Sequence, residues 1–221
     1  MAQIYHRLCN AIMDGSLAPG MPLKEADMQD LFGVSRAPIR EVIRLLEADR
    51  MVVVNAYKEK YVRRITREDL REVIPVLARM EGCAAFLTAT RITPEQLEAV
   101  GRINQDLRAA YQAGDVESCL RLNSSFHRYY VHSAGNETLK QAIRPMIKRV
   151  VGLWAANAYR QDPSLFAVTI SEHDAALQSF AAGDAQEAEQ RVRAHVENML
   201  VRGLQASVFD QQDNLLVASN G

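Results

Sequence analysis

The chain has 221 residues, of which 48% are hydrophobic and 24% charged, and its 26 basic and 27 acidic side chains give a formal net charge of −1. This composition excludes disordered, collagen-like and low-complexity proteins, because the apolar fraction is large enough to form a packed core. No apolar run approaches the ~20 residues needed to cross a bilayer, and the N-terminus lacks a signal-peptide pattern, so we expect a cytoplasmic protein without a membrane partner.

The first 65 residues predict three helices followed by a hairpin. Helical spacing of apolar residues marks helices over 4–12, 24–32 and 35–49, with Ser35 placed to cap the third through its hydroxyl. Short runs of β-branched and aromatic residues at 52–54 and 61–62 flank a polar tip, which is typical of two antiparallel strands. This order is that of a winged helix-turn-helix, and the segment carries a net charge of about +2.

The third predicted helix presents Arg36, Arg40 and Arg44 at intervals of four residues, opposite its own apolar side. Arginine can donate paired hydrogen bonds to guanine edges or to phosphates. Most such stripes are solvated surface. Here, however, a helix-turn-helix precedes the stripe and a basic hairpin containing Lys58 follows it, and this combination favours a DNA-binding surface.

Two runs in this segment resemble the DNA-binding domain of GntR-type bacterial transcriptional regulators. They are APG at 18–20 and GVSRAPIREV at 33–42. The resemblance implies that Arg36 and Arg40 contact bases and that Ser35 and Arg44 contact mainly phosphates.

The predicted wing departs from the family pattern. Glu59 and Arg50 stand where family members usually carry glycines, at the wing tip and just before the first strand. A carboxylate at the tip would be repelled by phosphate, so we expect that this wing does not enter the minor groove in the usual way. Lys58 and Lys60 flank that carboxylate.

From residue 66 to about 205 the periodicity is helical throughout, and caps and breakers divide it into six helices. The fourth contains Pro145 and should bend there. We therefore predict a mainly α protein, with a winged helix-turn-helix at 1–65 and an all-α six-helix bundle at 66–205. The tail at 206–221 shows no clear period.

Polar side chains at four positions could converge inside this bundle. Asn123 and His127 lie on one face of the third bundle helix, and His173 and His195 lie in the middle of the fifth and sixth. Imidazole suits Zn²⁺ or Ni²⁺, and facing helices can direct such ligands to one point. Taken singly, each histidine is better explained as a hydrogen-bonded core or surface residue than as a ligand.

The second domain also resembles the FCD ligand-binding domain of the FadR branch of GntR regulators, and six helices resemble its VanR-like subgroup. The matching stretches are RMEG at 79–82, NSSFH at 123–127, AGN at 134–136, EHDAAL at 172–177, AAGD at 181–184, and His195. The resemblance implies a divalent metal, zinc or nickel, held by Asn123, His127, His173 and His195. The commoner residue at the first position is aspartate, and a neutral amide is the weaker ligand.

Three imidazoles and an amide are neutral, so a divalent cation bound to them would keep its full charge of +2. Arg79 nearby would add a further positive charge. Such a pocket favours an anion, so we expect a small carboxylate effector bound partly by Arg79. An intrahelical ion pair is the alternative role for Arg79. Trp154 and the Tyr129-Tyr130 pair are interpreted as bundle packing.

The function predicted from these residues is a homodimeric, ligand-responsive transcriptional regulator, usually a repressor in this family, that binds a palindromic operator. The junction at 63–69 would couple the two domains. Two alternatives remain: a regulator for which the metal itself is the signal, and a histidine-cluster metallohydrolase. The latter leaves the first 65 residues unexplained, so we expect no enzymatic activity.

Overall fold

The structure is a computed structural model, and it describes residues 1–13, 15–147 and 152–205. The predicted tail at 206–221 lies outside these residues. The elements of the N-terminal part are α1 (Ala2–Met13), α2 (Glu25–Phe32), α3 (Arg36–Ala48), β1 (Val52–Val54) and β2 (Lys60–Val62). The helices of the second part are α4 (Arg67–Ala89), α5 (Pro94–Gln112), α6 (Val116–Ser133), α7 (Glu137–Met146), α8 (Gly152–Gln161), α9 (Leu165–Ala182) and α10 (Ala185–Gln205).

The N-terminal part is the predicted winged helix-turn-helix. Strands β1 and β2 pair antiparallel with Val52 opposite Val62, and an isolated bridge joins Pro22 to Tyr61. The apolar side of α3, including Ile39 and Leu46, is fully buried. Burying one side of α3 leaves its arginine side exposed, as the spacing predicted.

One local prediction in this part is wrong. Ser35 occupies the N-cap position of α3, but its side chain makes no capping hydrogen bond. Two non-glycine residues have left-handed backbone conformations: Arg50, just before β1, with φ of 55°, and Lys58, next to Glu59 at the wing tip, with φ of 63°. Both are positions where glycine would be free of the steric cost that a Cβ imposes.

The second part is helical, as predicted, and its helices begin where the sequence places caps. Thr66 with Asp69 and Thr93 with Gln96 each form a reciprocal capping box at the start of α4 and α5. The largest packing interface joins α4 to α10, while α5 packs on α6 and α9. Within the described residues, no helix combines the length and the apolar character needed to cross a membrane.

The fourth predicted bundle helix corresponds to α7 and α8 together. Residues 148–151 between them lie outside the described residues, and the described residues of this part form seven helices where the sequence predicts six. Pro145 lies in the last turn of α7, where its missing N–H and its ring weaken continuation of the helix. By contrast, Pro75 lies inside α4, which continues to Ala89.

Gly82 of α4 packs closely against α10. A Cβ built on it would lie 3.3 Å from both Cγ and the carbonyl oxygen of Glu189 and 3.5 Å from Cβ of Arg193. A Cβ on Gly101 of α5 would meet nothing within 4 Å. Both glycines lie inside helices, so they differ in whether an added side chain would meet a neighbouring helix.

We expect Gly82→Leu to lower the free energy of unfolding by about 1–3 kcal/mol through overpacking. Gly101→Ala, the control, should raise it by about 0.5–1 kcal/mol because alanine has the higher helix propensity. Urea unfolding followed by circular dichroism measures both. Equal effects of the two changes would show that α4 and α10 do not pack this closely.

Candidate metal centre and DNA-binding surface

Three imidazoles meet in the interior of the helical bundle. His127 comes from α6, His173 from α9 and His195 from α10, and one ring nitrogen of each lies within 4.8 Å of the other two. The Nε2 atoms of His127 and His195 are 3.2 Å apart. That separation matches the ~3.3 Å expected between two nitrogens bound to one tetrahedral zinc at ~2.0–2.1 Å.

The other ring nitrogen of each histidine is held by a hydrogen-bond partner from a neighbouring helix. The Nδ1 contacts are His127 with Glu81 Oε2 at 2.7 Å, His173 with Asn104 Oδ1 at 3.1 Å, and His195 with Glu172 Oε2 at 2.6 Å. Each partner atom is an acceptor, so it favours the proton on Nδ1 and leaves the Nε2 lone pair free. Histidine ligands in metal sites are oriented in this way.

The two carboxylate partners, Glu81 and Glu172, are held in place by further hydrogen bonds. The carboxylate of Glu81 accepts a hydrogen bond from the Tyr130 hydroxyl. Glu172 accepts two from Arg202, both at 3.0 Å, and one from Asn198 at 2.9 Å. The imidazoles therefore have little rotational freedom.

Asn104 and a stacked ring hold the third histidine. The amide of Asn104 donates to Asp174 Oδ1 at 2.8 Å, which orients its oxygen towards His173. Phe126 stacks on the His173 ring with centroids 3.8 Å apart and an interplanar angle of 8°. Ring stacking and the hydrogen bond together define one orientation of this side chain.

Two buried polar atoms, one in this cluster and one on α6, have no hydrogen-bond partner. They are Nε2 of His173 and Oδ1 of Asn123, which lies one turn before His127 on α6. Leaving a buried acceptor unpaired costs about 1–3 kcal/mol. A cation bound at the three imidazoles would provide a partner for Nε2 of His173, so the histidines present fit a divalent metal.

The ionisation states agree with this fit. Burial lowers the pKa of His173 well below its usual value, and it also lowers the pKa of His195. Burial alone would raise the pKa of Glu172, but hydrogen bonds from His195 and Arg202 outweigh it and lower the pKa to about 2. Two of the imidazoles are thus neutral, as ligands must be, beside an ionised carboxylate.

Glu81 is 2% exposed, and burial opposes its ionisation. Electrostatic attraction by His127 and hydrogen bonds from His127 and Tyr130 nevertheless lower the pKa of Glu81. A second carboxylate is therefore held ionised against the cluster.

Arg79 is not placed with the other predicted site residues. It is exposed on α4, two residues before Glu81. Two residues rotate a helix by about 200°, so Arg79 projects from another side of α4. Its role in binding an effector stays a prediction.

The predicted DNA-binding side chains are all exposed in the N-terminal part. The exposed fractions of the Arg36, Arg40 and Arg44 side chains are 63%, 55% and 77%. Ser35 is also exposed, at the N-terminus of α3, and its hydroxyl is not used in capping. Lys58 is exposed at the wing tip.

The exposed carboxylate of Glu59 stabilises the wing through hydrogen bonds to other wing residues. It accepts hydrogen bonds from Asn55 Nδ2 and from the Tyr61 hydroxyl, both at 2.8 Å. The side-chain oxygen of Asn55 in turn accepts from the backbone N–H groups of Tyr57 and Glu59. This acidic residue thus stabilises the turn at the wing tip.

Sequence reasoning missed several residues of these sites. Glu81, Asn104, Glu172 and Arg202 were given no role, and Tyr130 was interpreted as packing alone. Tyr130 is fully buried, but its hydroxyl also contacts Glu81. A usable signal existed for some of them, because Glu172 adjoins His173 and Tyr130 lies about one turn after His127.

Comparison with known proteins agrees with both parts of the structure. Residues 1–59 match bacterial regulatory proteins of the gntR family, and residues 72–198, more than half of the chain, match the FCD domain.

Over 142 residues the chain is 29% identical to the HTH-type transcriptional regulator YdhC of Bacillus subtilis (strain 168), a match covering 64% of this chain and 63% of that protein. It is 24% identical over 198 residues to the probable D-xylose utilization operon transcriptional repressor of Paenarthrobacter nicotinovorans, covering 88% of this chain and 84% of that one.

The structure of E. coli McbR/YncC has the same fold, with a TM-score of 0.80 and 20% identity over 92% of this chain and 96% of that chain. The VanR-like subgroup stays a prediction. The family and these relatives are transcriptional regulators, not enzymes. The chain therefore belongs to the GntR family of bacterial transcriptional regulators, in the group that carries an FCD domain.

Proposed function

We propose that this chain is a DNA-binding repressor whose FCD domain senses a small carboxylate through a divalent metal, zinc or nickel. The observation that carries the proposal is the convergence of three imidazoles, each with Nδ1 held by a partner. The buried, unpaired oxygen of Asn123, one turn before His127 on α6, supports it. This arrangement lies in the domain joined to the helix-turn-helix. A relative named as a D-xylose operon repressor supports the repressor role.

Asn123, His127, His173 and His195 would hold the metal. When bound, it would supply positive charge and an open coordination position to an effector. The carboxylates of Glu81 and Glu172 lie against the imidazoles, and Arg202 offsets the charge of the second. A divalent ion then leaves a net charge of about +1, which favours a monoanion such as a carboxylate.

The chain would act on DNA as a homodimer. Two α3 helices related by a two-fold axis would contact half-sites one helical turn apart, about 34–36 Å, in a palindromic operator. Arg36 and Arg40 would contact bases, and Ser35, Arg44 and Lys58 would contact phosphates. The exposure of these side chains supports this assignment.

Two connections could transmit the effector signal. The first is the predicted junction, where Arg63 of the wing pairs with Asp69 in the first turn of α4. The second begins on α6, the helix of Asn123 and His127. Glu117 at its start accepts hydrogen bonds at 2.7 and 2.9 Å from Arg160 of α8, which reaches Gly15 beyond α1.

We expect Arg40→Ala to weaken binding to operator DNA by about 5- to 150-fold, the cost of one lost base contact, while weakening binding to random DNA much less. Arg44→Ala should weaken both and reduce the slope of log affinity against log salt by about one. Gel shift or fluorescence anisotropy with the chain's own upstream DNA measures this. Arg102→Ala on exposed α5 is the control and should change neither.

The DNA-binding role would be contradicted by wild-type protein that binds upstream and random DNA equally at moderate salt. It would also be contradicted if Arg102→Ala had the same effect as Arg40→Ala.

We expect protein purified without chelator or His-tag to contain one divalent metal ion per subunit by plasma mass spectrometry. His173→Ala should lose the metal, because the change removes one of the four proposed ligands. His132→Ala is the matched control, since His132 is exposed on α6, and it should retain the metal. Asn123→Asp should bind the metal more tightly through its charged carboxylate.

Absence of metal from both wild-type protein and Asn123→Asp after incubation with Zn²⁺ or Ni²⁺ would contradict the metal site. If Zn²⁺ or Ni²⁺ alone changed operator affinity, with no organic acid present, the metal itself would be the signal.

We expect Glu81→Gln to weaken metal binding by about 10- to 100-fold, because it removes the charge that orients and polarises His127. Competition with a chromogenic chelator measures the affinity. Glu98→Gln, an exposed change on α5, should leave it unchanged. Unchanged affinity in Glu81→Gln would show that this carboxylate has no part in the site.

A further inference from the structure

One carboxylate joins the three elements of the N-terminal part that face DNA. Glu25, the first residue of α2, accepts hydrogen bonds from Arg36 Nε at 2.5 Å, from Arg40 Nε at 3.1 Å and from Lys60 Nζ at 2.8 Å. Its own side chain is only 9% exposed. The recognition helix α3, the preceding helix α2 and strand β2 of the wing therefore meet at this group.

Each of the two arginines contacts Glu25 through its own Nε atom. The guanidinium has one N–H on Nε and four more on its two terminal nitrogens, in a rigid plane. With Nε engaged and more than half of each side chain exposed, the terminal nitrogens are the donors that remain available. A pair of terminal nitrogens matches the two acceptors, O6 and N7, on the guanine edge in the major groove.

The cluster remains cationic despite its carboxylate. Arg36, Arg40 and Lys60 contribute three positive charges against one negative charge. Hydrogen bonds from Lys60 and Arg36, with a further one from Arg40, lower the pKa of Glu25 to about 2, so the carboxylate is ionised at neutral pH. Glu25 therefore holds the basic side chains without cancelling their attraction for DNA.

We propose that Glu25 is a positioning residue for base recognition. It fixes Arg36 and Arg40 before DNA arrives, with their terminal nitrogens presented to guanine, and it sets the wing against α3 through Lys60. The inference rests on the proposed DNA-binding function and adds to it a residue that does not itself contact bases.

The expected size of the effect follows from side-chain entropy. Immobilising a flexible arginine on binding costs a factor of roughly 2–10 in affinity, and two arginines are fixed here. Preorganisation by Glu25 then increases affinity for the correct sequence by roughly 5- to 100-fold. Binding to random DNA gains little, because phosphates accept an arginine in many orientations.

The test compares Glu25→Gln with wild type in the full-length chain. The probes are a duplex that wild-type protein selects from a random pool and a shuffled duplex of equal composition, and anisotropy gives both affinities at several salt concentrations. We expect the ratio of the two affinities to fall by about tenfold or more. Affinity for the shuffled duplex should stay constant or rise, since a negative charge is removed.

The matched control is Glu41→Gln. Glu41 lies on α3 and pairs with Arg44 at 3.6 Å, with 45% of its side chain exposed. This change removes the same charge from the same surface without freeing Arg36 or Arg40. It should leave the affinity ratio unchanged.

A background that lacks both arginines separates a positioning role of Glu25 from a merely structural one. In an Arg36→Ala, Arg40→Ala background, Glu25→Gln should reduce the affinity ratio no further, because its effect passes through the arginines. Glu25→Asp keeps the charge but shortens the side chain by one methylene, and it should give an intermediate ratio. It also tests the proposal if Glu25→Gln folds poorly.

Three results would overturn the proposal. In the first, Glu25→Gln and Glu41→Gln increase affinity for both duplexes equally, so that Glu25 merely repels phosphate. In the second, stability falls while the affinity ratio of the folded protein stays at the wild-type value. In the third, wild-type protein selects no sequence at all, and the DNA-binding proposal then fails together with this one.

Discussion

Three imidazoles buried in an apolar bundle impose the main constraint on the second domain. A buried polar group is costly unless it has a partner, so each ring must be matched by an acceptor from another helix. The acceptors come from α4, α5 and α9, and the rings from α6, α9 and α10. Five of the seven described bundle helices are therefore positioned relative to one another by this cluster.

The same arrangement recurs in the DNA-facing part. In the bundle, carboxylates engage the Nδ1 atoms of His127 and His195 and leave Nε2 for a ligand. In the winged helix, Glu25 engages the Nε atoms of two arginines and leaves their terminal nitrogens for DNA. In each case a carboxylate engages one nitrogen of a side chain and so fixes the direction of the remaining nitrogens, which is how flexible residues are preorganised.

Helix α6 links these two regions physically. It holds Asn123 and His127 at its centre and Glu117 in its first turn, and Glu117 fixes Arg160 beside Gly15. A small rotation of α6 on ligand binding would change this contact, because packed helices shift as rigid bodies rather than deform. The junction that the sequence indicated at 63–69 is thus accompanied by a second connection that only the fold brings together.

The sequence by itself determined the order of elements, the two-part organisation and the histidine positions. Periodicity, caps and breakers are local properties, so the helix-turn-helix, the hairpin and the capping boxes of α4 and α5 could be predicted without coordinates. The stripe of Arg36, Arg40 and Arg44 followed from helical spacing in the same way. A local rule failed where the outcome depended on competition between hydrogen-bond partners, because the hydroxyl of Ser35 does not cap α3.

Only the tertiary structure decided which side chains meet. The contacts of Glu25 with Lys60 and of His173 with Asn104 span 35 and 69 positions along the chain, and no local pattern encodes a pairing at that separation. Arg79, by contrast, is close to the site in sequence but exposed on another side of α4. Helix packing sets the relative rotation of each helix, and that rotation decides whether a neighbour in sequence faces the site or the solvent.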